Sequence, residues 1–440
     1  MLLAALIGSF ITLATGAPSQ AEFPLIRYQL DAEQRAALPP AFSFSFGGEI
    51  RERYEYTHNP LFGADPQDPD GVWLQRLAAF SEVRWGPHAR LFVELHSAIE
   101  EGRAALPAPL DEDELEFQNL LGELWFNRDE ESDLVIRLGR QEMQLGTARL
   151  VAVRDGPNVR YTYDGARVLL RNGSWSLSAL AVRPRKNQPG VFDDSTDDAK
   201  ALWGVYATRR DGPLGTNLDL YYLGYHNDAG AFDQGTSEEQ RHTLGTRLFG
   251  SNGSWSWNWE PMVQFGSFGD GDLLAWTVAS ETAYTWPNAR WKPTVKLNLD
   301  VASGDRDPEH PDLETFNPLF PRGNYFSQDA TLGPLNFYDA HMLVIVRPNR
   351  MWELTADYMS FWRLSTRDGV YRPTGRLMRS GAGSDARFVA TSVELAAECT
   401  INRHWSGTII YSHVRPQTFL EETGPSETIN FFEITARFRF

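Results

Sequence analysis

A period-2 alternation of apolar and polar residues recurs along almost the whole chain and limits what it can fold into. Its cleanest copy is the segment 430–440 (NFFEITARFRF). Phe432, Ile434, Ala436, Phe438 and Phe440 fall on one side of an extended backbone, and Phe431, Glu433, Thr435, Arg437 and Arg439 on the other. Leu91, Val93 and Leu95 alternate in the same way with Arg90, Phe92, Glu94 and His96, and Trp352, Leu354, Ala356 and Tyr358 with Glu353, Thr355 and Asp357. A strand that is apolar along one face and charged along the other has to divide an apolar phase from water.

About eighteen such segments can be marked, from 47–56 through 290–302 to 430–440, each near the ~9–11 residues that a tilted strand needs to cross a bilayer. Junctions after even-numbered segments are tight turns such as Trp85-Gly-Pro-His, Asn172-Gly-Ser, Ser251-Asn-Gly and Arg347-Pro-Asn. Those after odd-numbered segments are mostly long: 57–75, 99–117, 142–163, 184–200, 226–240, 303–336, 364–387 and 414–429. Soluble sandwiches and propellers have no reason to alternate loop length. The pattern predicts an all-β fold: a transmembrane antiparallel β-barrel of about 18 strands in a Gram-negative outer membrane, with short periplasmic turns and long extracellular loops. Trp255, Trp257 and Trp259 on one strand face fit an interfacial aromatic girdle.

The mean hydropathy of -0.39 is compatible with this, because only alternate residues meet lipid. The one continuous apolar run, Met1 to Ala17, is too short to span and is read as a secretory signal ending near Ser19-Gln20-Ala21, although no Lys or Arg precedes it. The expected division is therefore a signal peptide over 1–21, a periplasmic lead over 22–46 and the barrel over 47–440. Cys399 is the only cysteine, so no intramolecular disulfide exists; its phase matches Val389, Thr391, Val393, Leu395 and Ala397, facing lipid. A net charge of -17 with no basic patch argues against nucleic acid. Of the 41 basic residues only Lys186, Lys200, Lys292 and Lys296 are lysines; the rest are arginines, the planar bidentate partners of carboxylates.

Strand phase turns many charges inward: Glu49, Arg51, Arg53 and Glu55; Arg76, Glu82 and Arg84; Arg90 and Glu94; Arg137; Arg167 and Arg171; Arg241 and Arg247; Glu433, Arg437 and Arg439. On the lipid face a basic group would cost ~2–4 kcal/mol at the midplane, so a water-filled lumen is where these belong. An arginine-lined path attracts anions, whereas the same residues as Arg–Glu ladders would only brace the wall, and Glu49, Glu55, Glu82 and Glu94 dilute the positive field.

Two inserts are distinctive. One runs Gly139-Arg-Gln-Glu-Met-Gln-Leu-Gly, then Arg149-Leu-Val-Ala-Val-Arg-Asp-Gly-Pro-Asn-Val-Arg, then Tyr163-Asp-Gly-Ala-Arg; the other is Ala302-Ser-Gly-Asp-Arg-Asp followed by Thr315-Phe-Asn-Pro-Leu-Phe-Pro-Arg-Gly-Asn-Tyr-Phe. Together they resemble the alginate-export family of outer-membrane channels, over essentially the whole mature chain. The resemblance implies an eighteen-stranded monomeric barrel and passive diffusion of a polyuronate through an Arg-rich constriction. It points to Arg137, Arg140, Arg154, Arg160 and Arg167 as carboxylate contacts, beside the lumen residues Arg171, Arg437 and Arg439, with Asp155, Asp164 and Glu433 as ion-pair partners. It also implies a gating or plug loop carrying Phe316, Asn317, Pro318, Phe320, Arg322 and Tyr325, folded inward or lidding the mouth.

The expected partners are an anionic sugar polymer or other anionic solute, outer-membrane lipid and lipopolysaccharide, and the barrel-assembly machinery through Phe440. Two other classes stay open. One is a general or small-anion porin. The other is an outer-membrane enzyme, against which stands the lack of any nucleophile elbow, HExxH or paired-carboxylate spacing around His404 with Ser406 or Glu309 with His310. No cofactor is expected; loop acids such as Asp305 with Asp307, or Asp270 with Asp272, offer oxygen ligands for Ca²⁺ without EF-hand spacing.

Overall fold

A computed structural model of the chain describes residues 42–104, 109–127 and 132–440. Alternation becomes eighteen antiparallel strands closed into one barrel. They are β1 (Ser43–His58), β2 (Val72–Trp85), β3 (Ala89–Glu101), β4 (Asp113–Asn127), β5 (Ser132–Gln141), β6 (Tyr163–Asn172), β7 (Trp175–Lys186), β8 (Lys200–Arg209) and β9 (Thr216–Phe232). The circuit continues with β10 (Gly235–Asn252), β11 (Trp255–Phe268), β12 (Gly271–Thr285), β13 (Thr294–Asn298, resuming at Val301–Ala302), β14 (Phe337–Val346), β15 (Trp352–Trp362), β16 (Phe388–Thr400), β17 (Trp405–Pro416) and β18 (Ile429–Arg439). Each pairs with its sequence neighbour, and β18 closes on β1 with Glu49 opposite Arg439 and His58 opposite Asn430. Closure leaves no strand edge, so every wall strand finds its backbone partners without water. Backbone bonds run both ways between Gly48 and Phe440, and the Phe440 ring occupies the space that a Cβ on Gly48 would need.

The two faces separate as the two solvents require. Leu91, Leu248, Leu354, Leu395 and Ile434 are among the exposed large apolar residues, while Arg51, Arg76, Arg90, Glu94 and Arg241 are buried on the inner phase. In β18, Phe432 and Ile434 point outward and Phe431, Glu433 and Thr435 inward. Trp255 and Trp259 stand exposed on the outer face of β11. Leu395 lies halfway along β16 and is half exposed to lipid. Leu395→Arg is expected to cost ~2–4 kcal/mol of barrel stability, measured by denaturant unfolding in lipid, whereas Thr355→Arg on the inner phase of β15 should cost clearly less.

Four local expectations change. β1 begins at Ser43, ahead of residue 47, with Phe44 and Phe46 on its outer face; the expected signal segment and most of the lead lie outside the described residues. The stretch 226–240 is no loop: β9 and β10 run on to Phe232 and Gly235 around a two-residue turn, with a bulge between Asn227 and Gly230. Polar outer residues such as His226 and Glu238 show no lipid-facing alternation there, because the hairpin stands above the membrane. The segment 290–302 starts only at Thr294, since Trp291 and Lys292 take left-handed φ in a turn that Pro293 helps to close, and it is interrupted at Leu299–Asp300. Val389 is buried rather than lipid-facing, because a bulge opposite Phe361 and Trp362 shifts its phase; Cys399, beyond the bulge, is half-buried opposite Trp352 and Gly407. Among the described residues no helix is long and apolar enough to cross a membrane.

Candidate functional site: an arginine wall and two inward loops

Strands β1–β6 and β18 build one arc of the lumen from arginine. In that arc Arg137 pairs with Glu123 at 2.7 Å, Arg90 reaches the same carboxylate at 3.0 Å, and Arg171 holds Asp133 at 2.9 Å near the periplasmic end. Arg53 faces Glu433 at 3.5 Å, and Arg439 lies 3.2 Å from Glu49. Arg167, directly opposite Arg137 on β6, is different: its Nε donates to Ser178 Oγ at 2.7 Å, and among the described residues no carboxylate reaches it.

The loop between β5 and β6, 142–162, does not cross the surface; it descends inside this arc. Asp155 is its anchor, accepting from Arg76 at 2.5 Å and from Arg437 at 2.9 Å. The neighbouring backbone is held as tightly, with Arg51 donating to the carbonyls of Asp155, Gly156 and Pro157 and to Asn158 Oδ1 at 2.7–3.1 Å. Asn158 is fully buried and donates to three main-chain oxygens, of Gln75, Ile99 and Asp111, at 3.0–3.1 Å. Arg160 closes the loop between Glu94 at 2.5 Å and Glu142 at 2.9 Å. The Arg-Asp-x-x-Asn-x-Arg run is thus a set of staples whose partners lie on β1, β2, β3 and β18.

The loop between β13 and β14, 303–336, enters from the opposite side. Phe320 and Val151 form a parallel bridge, Phe320 N donating to Leu150 O and Ala152 N to Phe320 O, both at 2.9 Å. The Phe320 ring meets Tyr161, Tyr163 and Tyr225 edge-on at 5.5–6.1 Å. Asn317 is clasped by Gln264 of β11 and donates to Glu239 of β10, and Tyr325 donates to Asp300 at 2.9 Å. Phe316 is buried in the central apolar cluster, Pro318 precedes the left-handed Leu319, and the Arg322 guanidinium stacks 5.2 Å from the Tyr325 ring. The loop folds inward rather than over the mouth.

Of the residues singled out in the sequence, Arg137, Arg167, Arg171, Arg437 and Arg439 share the inner wall, and Asp155, Arg160 and Glu433 pair within it. Arg140 and Asp164 do not join them. Each lies three residues from Arg137 or Arg167, on the opposite phase of β5 and β6, where they pair at 2.9 Å beside Glu116 and Thr196. Arg154 takes φ 56° inside the loop, stacks on Tyr161 and touches Gly323 of the second loop, with no carboxylate partner among the described residues. Asn158 and Asn336 escaped the sequence reading: Asn336 caps three carbonyls of the 363–369 turn much as Asn158 does. Asn158 lay inside the quoted motif, so the signal was present; nothing marked Asn336. Among the described residues no group of three or more His, Cys, Asp or Glu converges on a cation position, and Asp305 instead takes part in a network around Asp368.

The sequence model of the alginate export family matches residues 42–432. The chain belongs to the alginate export family. This family member is an outer-membrane β-barrel channel. Solved channels of Pseudomonas aeruginosa share its fold: OpdK with vanillate (11% identity, TM-score 0.60, 90% of this chain and 98% of that one), OccK2 (OpdF) in complex with glucuronate (12%, 0.59, 90% and 96%) and OccK11 (OpdR) (11%, 0.58, 92% and 98%). No curated protein matches the chain. Family and neighbours alike are channels rather than enzymes.

Proposed function

We propose that this alginate-export channel passes an anionic, uronate-type oligosaccharide or polymer by passive diffusion along its arginine wall. The observation that carries this is Arg167: on a wall where most guanidiniums are already paired, it is half-buried, faces the lumen and keeps its terminal nitrogens uncommitted to any carboxylate of the described residues. Arg154 adds a second such group at the inner loop. A passing carboxylate would exchange charge-assisted hydrogen bonds from one arginine to the next, while the already-paired arginines keep the wall positive without trapping the solute. Partial neutralisation by Glu49, Glu94 and Glu123 suits release as much as capture.

A second reading is favoured by the two inward loops, which meet inside the barrel at Val151 and Phe320: a small carboxylate, of the class of the vanillate and glucuronate bound by OpdK and OccK2. Planar-bilayer recordings of the purified barrel separate the two. Export of a polymer requires an anion-selective current blocked by polyuronate, and Arg167→Gln should then raise the half-blocking concentration roughly 10-fold, for a loss of ~1.5 kcal/mol of charge-assisted bonding. Block by monomeric uronate alone favours the small-anion channel. Cation preference with no block by either would overturn both.

A further inference from the structure

The inner wall is not arginine-rich all the way round. Strands β14, β15 and β16 contain no Lys or Arg at all, yet β15 and β16 turn Glu353, Asp357, Glu394 and Glu398 inward. Their register sets like charges directly opposite one another, Asp357 against Glu394 and Glu353 against Glu398. Such pairs repel unless something positive stands beside them. What they have is modest: His341 at 2.6 Å from Asp357, Arg347 at 2.7 Å from Glu353, and the Gln328 amide and Ser412 hydroxyl on Glu394. Glu398 is exposed. Ser392, on the same inner phase as Glu394, is 2% exposed and its hydroxyl has no partner among the described residues. In a circuit of eighteen strands β15 lies nine strands from β6, diametrically opposite Arg167 and Arg171. The levels agree too: Arg167 and Arg171 are four residues apart along β6, as are Asp357 and Glu353 along β15, with Arg171 and Glu353 both near the short-turn end.

We propose that β15 and β16 form a cation-carrying wall that faces the arginine wall, so that the lumen holds a transverse field. An anionic solute is drawn to the arginines while its hydrated counter-cations travel along Asp357, Glu394, Glu353 and Glu398. Charged walls of one sign enrich their counter-ions locally, and a pore that carries both signs on opposite walls lets a polyanion and its cations move together without separating charge. The assignment uses only the channel architecture and does not depend on which anion passes.

The test is the K⁺/Cl⁻ permeability ratio of the full barrel, from reversal potentials in a KCl gradient with no polyuronate present. Glu353→Gln with Glu398→Gln, and the fourfold variant adding Asp357→Asn and Glu394→Gln, should lower the ratio by roughly 3- to 10-fold, the low end of such enrichment. Arg171→Gln should raise it. An unchanged ratio in the double variant, whose heat-modifiable migration reports a folded barrel, overturns the proposal even where the fourfold variant fails to insert. Polyuronate block, scored separately, can fail while this shift stands, so the two readings are judged independently.

Discussion

Replacing Asp155 with alanine is expected to release the 142–162 loop from the barrel wall, at a cost of about 3–5 kcal/mol, and to give larger and noisier single-channel currents. The magnitude follows from what would be left behind. Arg76 is fully buried and shares Asp155 with Arg437, and Arg51 donates to the main-chain carbonyls of Asp155 and Gly156. Removing one acid therefore leaves the buried Arg76 and its neighbour Arg437 to share Glu49 rather than breaking a surface pair, for which about 0–1 kcal/mol would be the expectation. Burial works to raise the Asp155 pKa, but Arg437, Arg76, Arg51 and Arg160 outweigh it and hold the carboxyl well below the usual carboxylate range. The sign of the pH dependence follows. A depressed folded value gives stabilisation that is fully present above the unfolded pKa of about 3.9 and is lost as pH falls through the folded one. The open-channel current should therefore hold steady down to about pH 4 and rise only below it, whereas Asp155→Asn removes that acid transition and starts from the released state. Unchanged conductance and unchanged protease resistance of the loop in Asp155→Ala would refute the anchoring role.

The barrel was legible from sequence because membrane strands are specified residue by residue. Each side chain meets either lipid or the lumen, so parity alone sorted Phe432 from Glu433 and Leu91 from Arg90, and the alternation of loop lengths then supplied strand order and sidedness. Parity also held where resemblance misled: Arg140 is an odd number of residues from Arg137 and could not share its face, although the motif grouped them. Reading failed where strands leave the membrane, since 226–240 needs no apolar face once it stands in water. The site was legible in kind but not in pairing. Asp155 adjoins Arg154 in sequence yet serves Arg76 and Arg437, which lie on strands at opposite ends of the chain. Nothing local encodes that. The inward path of 303–336 was half visible, in Phe316, Leu319 and Phe320 needing a surface to bury against, but the surface itself, Tyr161, Tyr163 and Tyr225, comes from β6, β9 and the other loop.

That shared surface makes Phe320 the residue through which the two loops hold each other. Phe320→Ala removes a ring in edge-on contact with three tyrosines and is expected to cost ~3–5 kcal/mol, the range for a buried phenylalanine truncation. The ring backs the main-chain bridge to Val151, so opening of the 303–336 segment should become roughly 100-fold more frequent, which is what ~3 kcal/mol means for an equilibrium. Tryptic cleavage after Arg322 reads that opening directly, because Arg322 N is bonded to Ala148 O and its side chain stacks on Tyr325 while the loop is docked. The wall strands should keep their unfolding midpoint, since their own pairing does not involve this ring. If the loops are mutually supporting, Asp155→Ala and Phe320→Ala will not add: the pair should fall short of the sum by a coupling of about 0.5–3 kcal/mol, because either release already frees Val151 and Phe320 from each other. Strict additivity, with cleavage after Arg322 indifferent to Asp155, would mean two plugs standing side by side, and the lumen would then have two separately removable obstructions instead of one.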